Sequence, residues 1–175
     1  MNRLVRIFLG IGYVFALTSS VTAQESPKAD AQMALQTCAI SEDPAEKADA
    51  CTLALEKMLL PDRMRKRVRE ERGVAFVEQK KYRDGLIDLA YAIGPRELSY
   101  RAQAYIETEE FAEAISDLTE VIKQRPDMSG AYNGRAWSYF KMGKAEEGLP
   151  DAELAIALHD ARHSHLRAVA EHGDR

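Results

Sequence analysis

Apolar residues between Asp30 and the C-terminal region recur at spacings of three and four, and the alternation typical of strands is absent. This spacing is typical of amphipathic helices, which bury one face and expose the other. The pattern is interrupted at Pro44, Pro61, Gly94-Pro95, Pro126 and Gly143. The intervals of about 12 to 16 residues between these breaks suit helices that pair in hairpins. The pattern therefore predicts an all-α protein.

The first 23 residues follow a different pattern. Arg3 and Arg6 precede an apolar run of about 11 residues, and small and polar residues then lead to Ala23. This order is typical of a secretory signal peptide, so we expect cleavage after Ala23 and a periplasmic or secreted product. The alternative is a retained membrane anchor, although a spanning helix needs about 20 apolar residues.

A set of small and aromatic positions recurs three times after residue 62. Each copy has an arginine followed by a small residue, an aromatic ring three positions later, and a second small residue 12 positions after the first. The sets are Arg72-Gly73, Phe76 and Gly85; Arg101-Ala102, Tyr105 and Ala114; and Arg135-Ala136, Tyr139 and Gly148. Two antiparallel helices can cross closely where both carry glycine or alanine, with the ring filling the wider space beside the crossing. The repetition predicts stacked helix hairpins.

These copies resemble a known repeat family. The strings AYNGRAWSYFKMGKAEEGL at 131–149 and SYRAQAYIETEEFAEAISDLTEVIKQRPD at 99–127 are similar to the bacterial form of the tetratricopeptide repeat. The resemblance covers residues 62–160 and implies a short right-handed α-solenoid of about three repeat units. A C-terminal capping helix and tail are expected over residues 161–175.

The first and last units depart from the repeat pattern. The first unit is five residues short, and we place the loss in the turn at Gly94-Pro95. Pro150 lies inside the expected second helix of the last unit and should bend or delay that helix, because proline lacks an amide donor. The closing proline of the last unit is also missing, with Asp160 in its place, and these two changes of the last unit suit a unit at the end of the array.

The two cysteines predict one further, degenerate hairpin at the N-terminal end, over residues 24–61. Cys38 and Cys51 are 13 residues apart, which is also the separation between the ring of each repeat and an inner residue of its second helix. We therefore expect helices near 28–40 and 45–59 joined by a disulfide, which export would permit. Two free thiols are the alternative, whereas metal and redox sites usually use closer or more numerous ligands.

Two clusters of polar residues have alternative interpretations. The basic run RMRKRVREER at 63–72 is interpreted as the solvated side of a helix that buries Met64 and Val68, with contact to anionic lipid or an acidic partner as the alternative. All four histidines, His159, His163, His165 and His172, lie in the last 17 residues. Two of them share a helix face, but no third ligand is well placed, so we predict no metal site and no cofactor. A metal-linked role of this tail stays open as an alternative.

The remaining observations favour binding over catalysis. There is no nucleophile elbow, phosphate-binding glycine loop or zinc-protease motif, so an enzyme is not expected. A net charge of −4 gives no sign of nucleic-acid binding, and no membrane contact is expected after signal cleavage. The resemblance implies a concave groove, lined by the first helix of each unit, that receives an extended peptide or a partner helix.

The candidate partner-binding residues are those on the matching face of the first helices. They are Val74, Ser99, Gln103, Ile106, Asn133, Trp137 and Phe140. Asn133 matches a position at which the family often presents an asparagine to a peptide backbone, and Trp137 is the expected affinity anchor. The alternative for Trp137 and Phe140 is packing beneath the C-terminal helix. The predicted function is that of a non-catalytic adaptor in the periplasm or cell envelope; the alternative is a metal-linked or membrane-surface envelope protein.

Overall fold

A computed structural model of the protein describes residues 27–172. The predicted signal peptide and its cleavage site lie outside these residues. The described part of the chain forms eight helices and no strand. In chain order they are α1 (Pro27–Ile40), α2 (Pro44–Lys57), α3 (Asp62–Glu78), α4 (Tyr82–Asp88), α5 (Pro95–Glu107), α6 (Phe111–Gln124), α7 (Ser129–Lys141) and α8 (Ala145–His172). The all-α prediction is confirmed.

The helices stack as consecutive hairpins. Each helix packs against the next one in the chain, and the first helix of each of the first three hairpins also contacts the first helix of the following hairpin, from α1 to α3, α5 and α7. Among the described residues, no second helix contacts the second helix of a neighbouring hairpin. The first helices therefore lie on the inner, concave side, and the fold is the α-solenoid that the repeats predict.

The small residues lie where the two helices of a hairpin cross. A Cβ atom added to Gly85 would lie 2.6 Å from Cγ2 of Val77 and 3.1 Å from the carbonyl oxygen of Gly73. A Cβ atom added to Gly148 would lie 2.9 Å from the carbonyl oxygen of Ala136. The close approach predicted from the sequence is thus confirmed for the first and third repeats.

The N-terminal hairpin is closed by a disulfide between Cys38 and Cys51, whose Cα atoms are 4.8 Å apart. Both cysteines are buried, and they form a small core with Ala54, Leu60 and Val68. The turn before α2 is ordered by Asp43, whose carboxylate accepts the backbone N–H of Glu46 at 2.8 Å. The predicted disulfide and its hairpin are therefore confirmed.

The position of the five missing residues differs from the prediction. Compared with the second unit, the first unit is shortened in its second helix: α4 has 7 residues, whereas α6 has 14. The segment after Asp88 still has to reverse the chain before Pro95, which starts α5, and Leu98 three residues later is fixed in the core. A reversal needs a minimum length of chain, so the helix and not the turn becomes shorter.

The C-terminal region also differs from the prediction. The structure has one helix, Ala145–His172, in place of a repeat helix followed by a separate capping helix from residue 161. No glycine or proline lies between Pro150 and Gly173, so nothing in the sequence ends the helix between them. The helix begins at Ala145, so Pro150 does not delay it. No helix of the described part of the chain is both long and apolar enough to cross a membrane.

Candidate protein-binding groove

An ion pair with two parallel hydrogen bonds joins the two helices of every repeat unit. An arginine of the first helix donates Nε and Nη2 to the two carboxylate oxygens of an aspartate 16 residues later. The pairs are Arg72–Asp88, Arg101–Asp117 and Arg135–Asp151, with Nε to Oδ2 distances of 2.6, 2.7 and 2.6 Å. The hydrogen bonds that Arg101 donates to Asp117 raise the pKa of Arg101, against the opposing effect of burial, and those that Arg135 donates to Asp151 raise the pKa of Arg135 in the same way.

The same arginines also bind the hairpin before their own. Arg72 Nη1 donates to Oγ1 of Thr52 at 3.3 Å, and Arg135 Nη1 donates to Oγ1 of Thr119 at 3.0 Å. Each arginine thus ties three helices together. The arginines are in register in the sequence, and the aspartates 16 residues after them, which were not predicted, recur in all three copies.

Arg101 shows how the network adapts to the shortened helix α4. Because α4 ends at Asp88, the carbonyl groups of Leu89 and Ala90 lie beyond the regular helix. Arg101 Nη1 donates to both carbonyl oxygens at 2.9 Å. The second junction between hairpins therefore uses backbone oxygens where the other two use a threonine hydroxyl.

The C-terminal half of α7 exposes an aromatic pair. Trp137 is 48% exposed and Phe140 is 56% exposed, and their ring centroids are 5.5 Å apart. Lys141 Nζ lies 5.7 Å from the Trp137 ring and 5.9 Å from the Phe111 ring. The two rings are thus open to solvent beside a cation, and they are not packed beneath the C-terminal helix.

Two predicted polar residues are also exposed on the first helices. Gln103 is exposed on α5, and Asn133 is exposed on α7. Asn133 lines a cavity of about 320 Å³ between α7 and α8, together with Ile156 and His159. The structure therefore presents Gln103, Asn133, Trp137 and Phe140 as accessible surface.

The remaining predicted groove residues are covered, and for Val74 the prediction is wrong. Val74 is 0% exposed in the main core. Ser99 is half-buried and donates its hydroxyl to the carbonyl oxygen of Pro95 at 2.7 Å. Ile106 is half-buried against the same core. The reason is that adjacent first helices pack directly on one another, so the residues that face the neighbouring helix are lost from the surface.

Polar contacts join α3 to α5. Arg96 Nη1 donates to Glu71 at 3.3 Å, and the Tyr100 hydroxyl donates to Oε1 of Glu78 at 2.7 Å. Burial raises the pKa of Tyr100, and the hydrogen bond to the Glu78 carboxylate raises it further. These contacts hold the first helices of two hairpins together beside Val74.

The burial of the basic run and of the histidines differs in part from the prediction. Val68 is buried as predicted, but Met64 is 44% exposed, so the prediction that the helix buries Met64 is wrong. His159 is exposed, and the side chains of the other three histidines lie outside the part that the structure describes. Among the described residues, no group of three or more potential metal ligands occurs.

Comparison with known proteins supports the repeat assignment at the level of sequence. No protein-family model matches the chain. Hsp70-Hsp90 organizing protein 3 of Arabidopsis thaliana is 29% identical over 131 residues, which is 75% of this chain and 22% of that protein. Hsp70-Hsp90 organizing protein 1 of Glycine max is 33% identical over 105 residues, which is 60% of this chain and 17% of that protein. The chain spans about a fifth of the length of the curated relatives it matches.

Solved structures agree on the fold. The structure of MamA AMB-1 has a TM-score of 0.62 at 21% identity and covers 77% of this chain and 80% of that chain. The structure of MamA MSR-1 has a TM-score of 0.63 at 17% identity and covers 81% of each chain. Sequence similarity and fold thus both support a tetratricopeptide repeat protein. These similarities support a protein-protein interaction module and are consistent with a non-catalytic role.

Proposed function

We propose that this protein is a non-catalytic adaptor that holds a segment of a partner protein against the concave side of its solenoid, in the periplasm or another exported space. The observation that carries the proposal is the exposed Trp137–Phe140 pair on α7. Large aromatic side chains supply much of the binding energy at protein interfaces when a partner covers them. A partner that packs on this pair removes apolar ring surface from water.

Polar residues near the same side suit an extended peptide or a helix. The amides of Gln103 and Asn133 are exposed and offer both donors and acceptors to a partner backbone. Lys141 adds a positive charge beside the Trp137 ring, which favours a partner that brings an acidic group. The rigid ion pairs within and between hairpins keep these side chains in place before the partner arrives, which lowers the entropy cost of binding.

Two features support an exported location. The pattern of residues 1–23 is that of a signal peptide, and the Cys38–Cys51 disulfide is compatible with an oxidising compartment. The mature N-terminus can be read by mass spectrometry of protein from envelope fractions. We expect it at Gln24, and a chain that retains Met1 in the cytoplasm would contradict the export part of the proposal.

Site-specific crosslinking in cells tests the binding part. A photo-reactive amino acid is placed at Gln103 or Asn133 on the concave side, and at Ile87 or Tyr91 on α4 and the segment after it as matched exposed controls. We expect discrete protein adducts from the first two positions alone, identified by mass spectrometry.

The aromatic pair provides the second arm of this experiment. The double change Trp137→Ala and Phe140→Ala should abolish the adducts while circular dichroism and melting stay unchanged. Met142→Ala, which alters another exposed apolar residue just after α7, should leave the adducts in place. Equal adduct yields from both sides of the solenoid, or adducts that survive the aromatic change, would overturn the proposed function.

A further inference from the structure

The N-terminal half of the concave side contains an apolar pocket that the proposed function does not use. It has a volume of about 280 Å³ and lies between α1 and α3. Its apolar wall consists of Leu35, Ala39, Met64 and Val68. We refer to it as the α1–α3 pocket. It is a concave site next to the first helices, and the exposed part of Met64 lies on its wall.

A charged cavity adjoins the α1–α3 pocket. It has a volume of about 650 Å³ and lies between α3 and α5. Arg67 and Glu71 line both cavities, so the two are neighbours along α3. An apolar group in the pocket would therefore have polar neighbours directly beside it in the charged cavity.

The charges of this second cavity do not balance. Lys66 pairs with Glu70 at 3.7 Å, and Arg96 pairs with Glu71 at 3.3 Å and with Glu97 at 3.2 Å. All three carboxylates thus already have a cationic partner.

Two arginines of the same cavity have no such partner. Arg63 and Arg67 line the cavity four residues apart on α3, and within residues 29–161 neither forms an ion pair or a side-chain hydrogen bond. The cavity therefore presents two exposed guanidinium groups that the protein itself leaves uncompensated, beside an apolar pocket.

We propose that the α1–α3 pocket binds a partner segment in which an apolar side chain stands next to a carboxylate. The apolar side chain fills the pocket against Leu35 and Met64, and the carboxylate pairs with Arg67 and Arg63. Guanidinium groups suit this role because they bind carboxylates through two parallel hydrogen bonds. This inference rests on the proposed function, since it gives the chemistry of a second contact for a partner on the same side of the solenoid.

The arrangement favours a peptide carboxylate over a membrane surface. Glu70, Glu71 and Glu97 line the same cavity and would repel an extended anionic surface laid across it. A single carboxylate at Arg63 and Arg67 lies near only part of this cavity, where Glu70 and Glu71 are already paired with Lys66 and Arg96. The pocket is also a recess between two helices, which admits a side chain and not a plane of headgroups.

The disulfide belongs to this site. Cys38 is 1% exposed, lies on the wall of the α1–α3 pocket, and joins α1 to α2. The position of α1, and with it of Leu35 and Ala39, depends on this bond. The site is therefore formed in the oxidised protein, which fits the oxidising space proposed above.

Peptide binding to the purified full-length mature protein tests the inference. The probe is a short fluorescein-labelled peptide in which leucines alternate with glutamates. Its binding is measured by fluorescence anisotropy at low ionic strength. The control peptides replace the glutamates with glutamines, or the leucines with serines. We expect the first peptide to bind, each control to bind at least about tenfold more weakly, and the affinity to fall as salt is added.

Protein variants locate the binding. The double change Arg63→Ala and Arg67→Ala should lower the affinity for the acidic peptide at least about tenfold, to the level of the glutamine control. Arg69→Ala is the matched control, because Arg69 is exposed on the same helix but does not line either cavity. Met64→Ser should lower the affinity for the acidic peptide and for the glutamine peptide by the same factor, since it alters only the apolar wall.

Several results would overturn the inference: no binding of the acidic peptide, equal binding of the glutamine peptide, or equal effects of the Arg69 and the Arg63/Arg67 changes.

Vesicles of phosphatidylglycerol provide another arm. Vesicle binding that requires Arg63 and Arg67, without peptide binding, would show a lipid contact instead. Cellular adducts that need Trp137 but not the two arginines would leave the adaptor function standing and remove this inference alone.

Discussion

At the scale of single residues, the repeated arginine decides how the helices fit together. Arg101 makes two hydrogen bonds to Asp117 and two to backbone oxygens of the preceding hairpin. Both side chains of the pair are largely buried, at 14% and 10% exposed. A buried charge that loses its partner cannot recover its hydration, so removal of either residue costs more than the pair itself contributes. Surface pairs such as Arg96–Glu97 lack this penalty.

Replacement of Arg101 by alanine should therefore lower the free energy of unfolding by about 2–4 kcal/mol, because Asp117 and two carbonyl groups lose their donor. Arg96→Ala, which removes the pairs of a half-exposed arginine with Glu71 and Glu97, should cost at most about 1 kcal/mol. Urea unfolding followed by circular dichroism measures both values. Equal losses in the two variants would contradict this account of the ion pairs.

Tyr100 provides a pH-dependent prediction. Its pKa in the folded protein is raised above the ordinary value of 10.0, by burial and by the hydrogen bond to Glu78. The folded state therefore holds the phenolic proton more tightly than the unfolded state. The resulting stability is fully present below pH 10.0 and is lost as the pH rises through the folded pKa.

The variant Tyr100→Phe isolates this effect from the other tyrosines. It should be less stable than the wild type at neutral pH, and the difference in urea midpoint should shrink as the pH rises above 10.0. A titration of tyrosinate absorbance should show one late-titrating group fewer in the variant. A midpoint difference that stays constant over this pH range would be evidence against a raised pKa of Tyr100.

At the scale of the helices, the sequence predicts more of the structure than of the site. The register of small residues predicted the hairpin crossings, and the separation of Cys38 from Cys51 predicted the disulfide. Both succeed because they depend on contacts inside one hairpin, where a fixed spacing along the chain gives a fixed position in space. The end of α4 and the continuation of α8 depend on the whole chain, and the predictions for both are wrong.

The site was predicted only in part for the same reason. Periodicity assigns Val74 and Trp137 to the same face of their helices, but only Val74 is covered by the neighbouring first helix. The α1–α3 pocket was missed because it forms between two hairpins, and neither helix shows it alone. The aspartates that pair with the arginines could have been found, since their spacing lies within one unit.

The crossing of α3 and α4 gives a prediction at this scale. Gly85→Ala places a Cβ atom 2.6 Å from Cγ2 of Val77 and 3.1 Å from the backbone of Gly73, so one helix must shift. We expect a loss of about 1–3 kcal/mol in the free energy of unfolding. A Cβ atom added to Gly130 has no neighbour within 4 Å. Gly130→Ala should therefore raise the free energy of unfolding by about 0.5–1 kcal/mol through helix propensity. Thermal melts compare the two, and a stabilising Gly85→Ala would mean that the helices are not in close contact there.

At the scale of the whole molecule, the residues whose burial is described form two separate cores. The main core runs from Val74 on α3 to Ala131 on α7, whereas the smaller one surrounds the disulfide. Hydrogen bonds connect the N-terminal hairpin to the repeat units; for example, Gln79 Nε2 donates to the Pro44 carbonyl oxygen at 2.7 Å. A terminal hairpin has a neighbour on one side only, so it depends more on its own crosslink than an internal unit does.

Removal of the disulfide should therefore affect one end of the molecule. In the chain-entropy view a crosslink across this separation contributes about 3 kcal/mol, mainly by restricting the unfolded chain. The double variant Cys38→Ala and Cys51→Ala should show faster amide hydrogen exchange in α1 and α2 while exchange in α5 and α6 stays unchanged. The wild type in reducing agent is the matched control and should reproduce the same pattern without a change of side chains. Faster exchange along the entire chain would mean that the two cores unfold as one unit, and the disulfide would then support the whole solenoid and not its first hairpin.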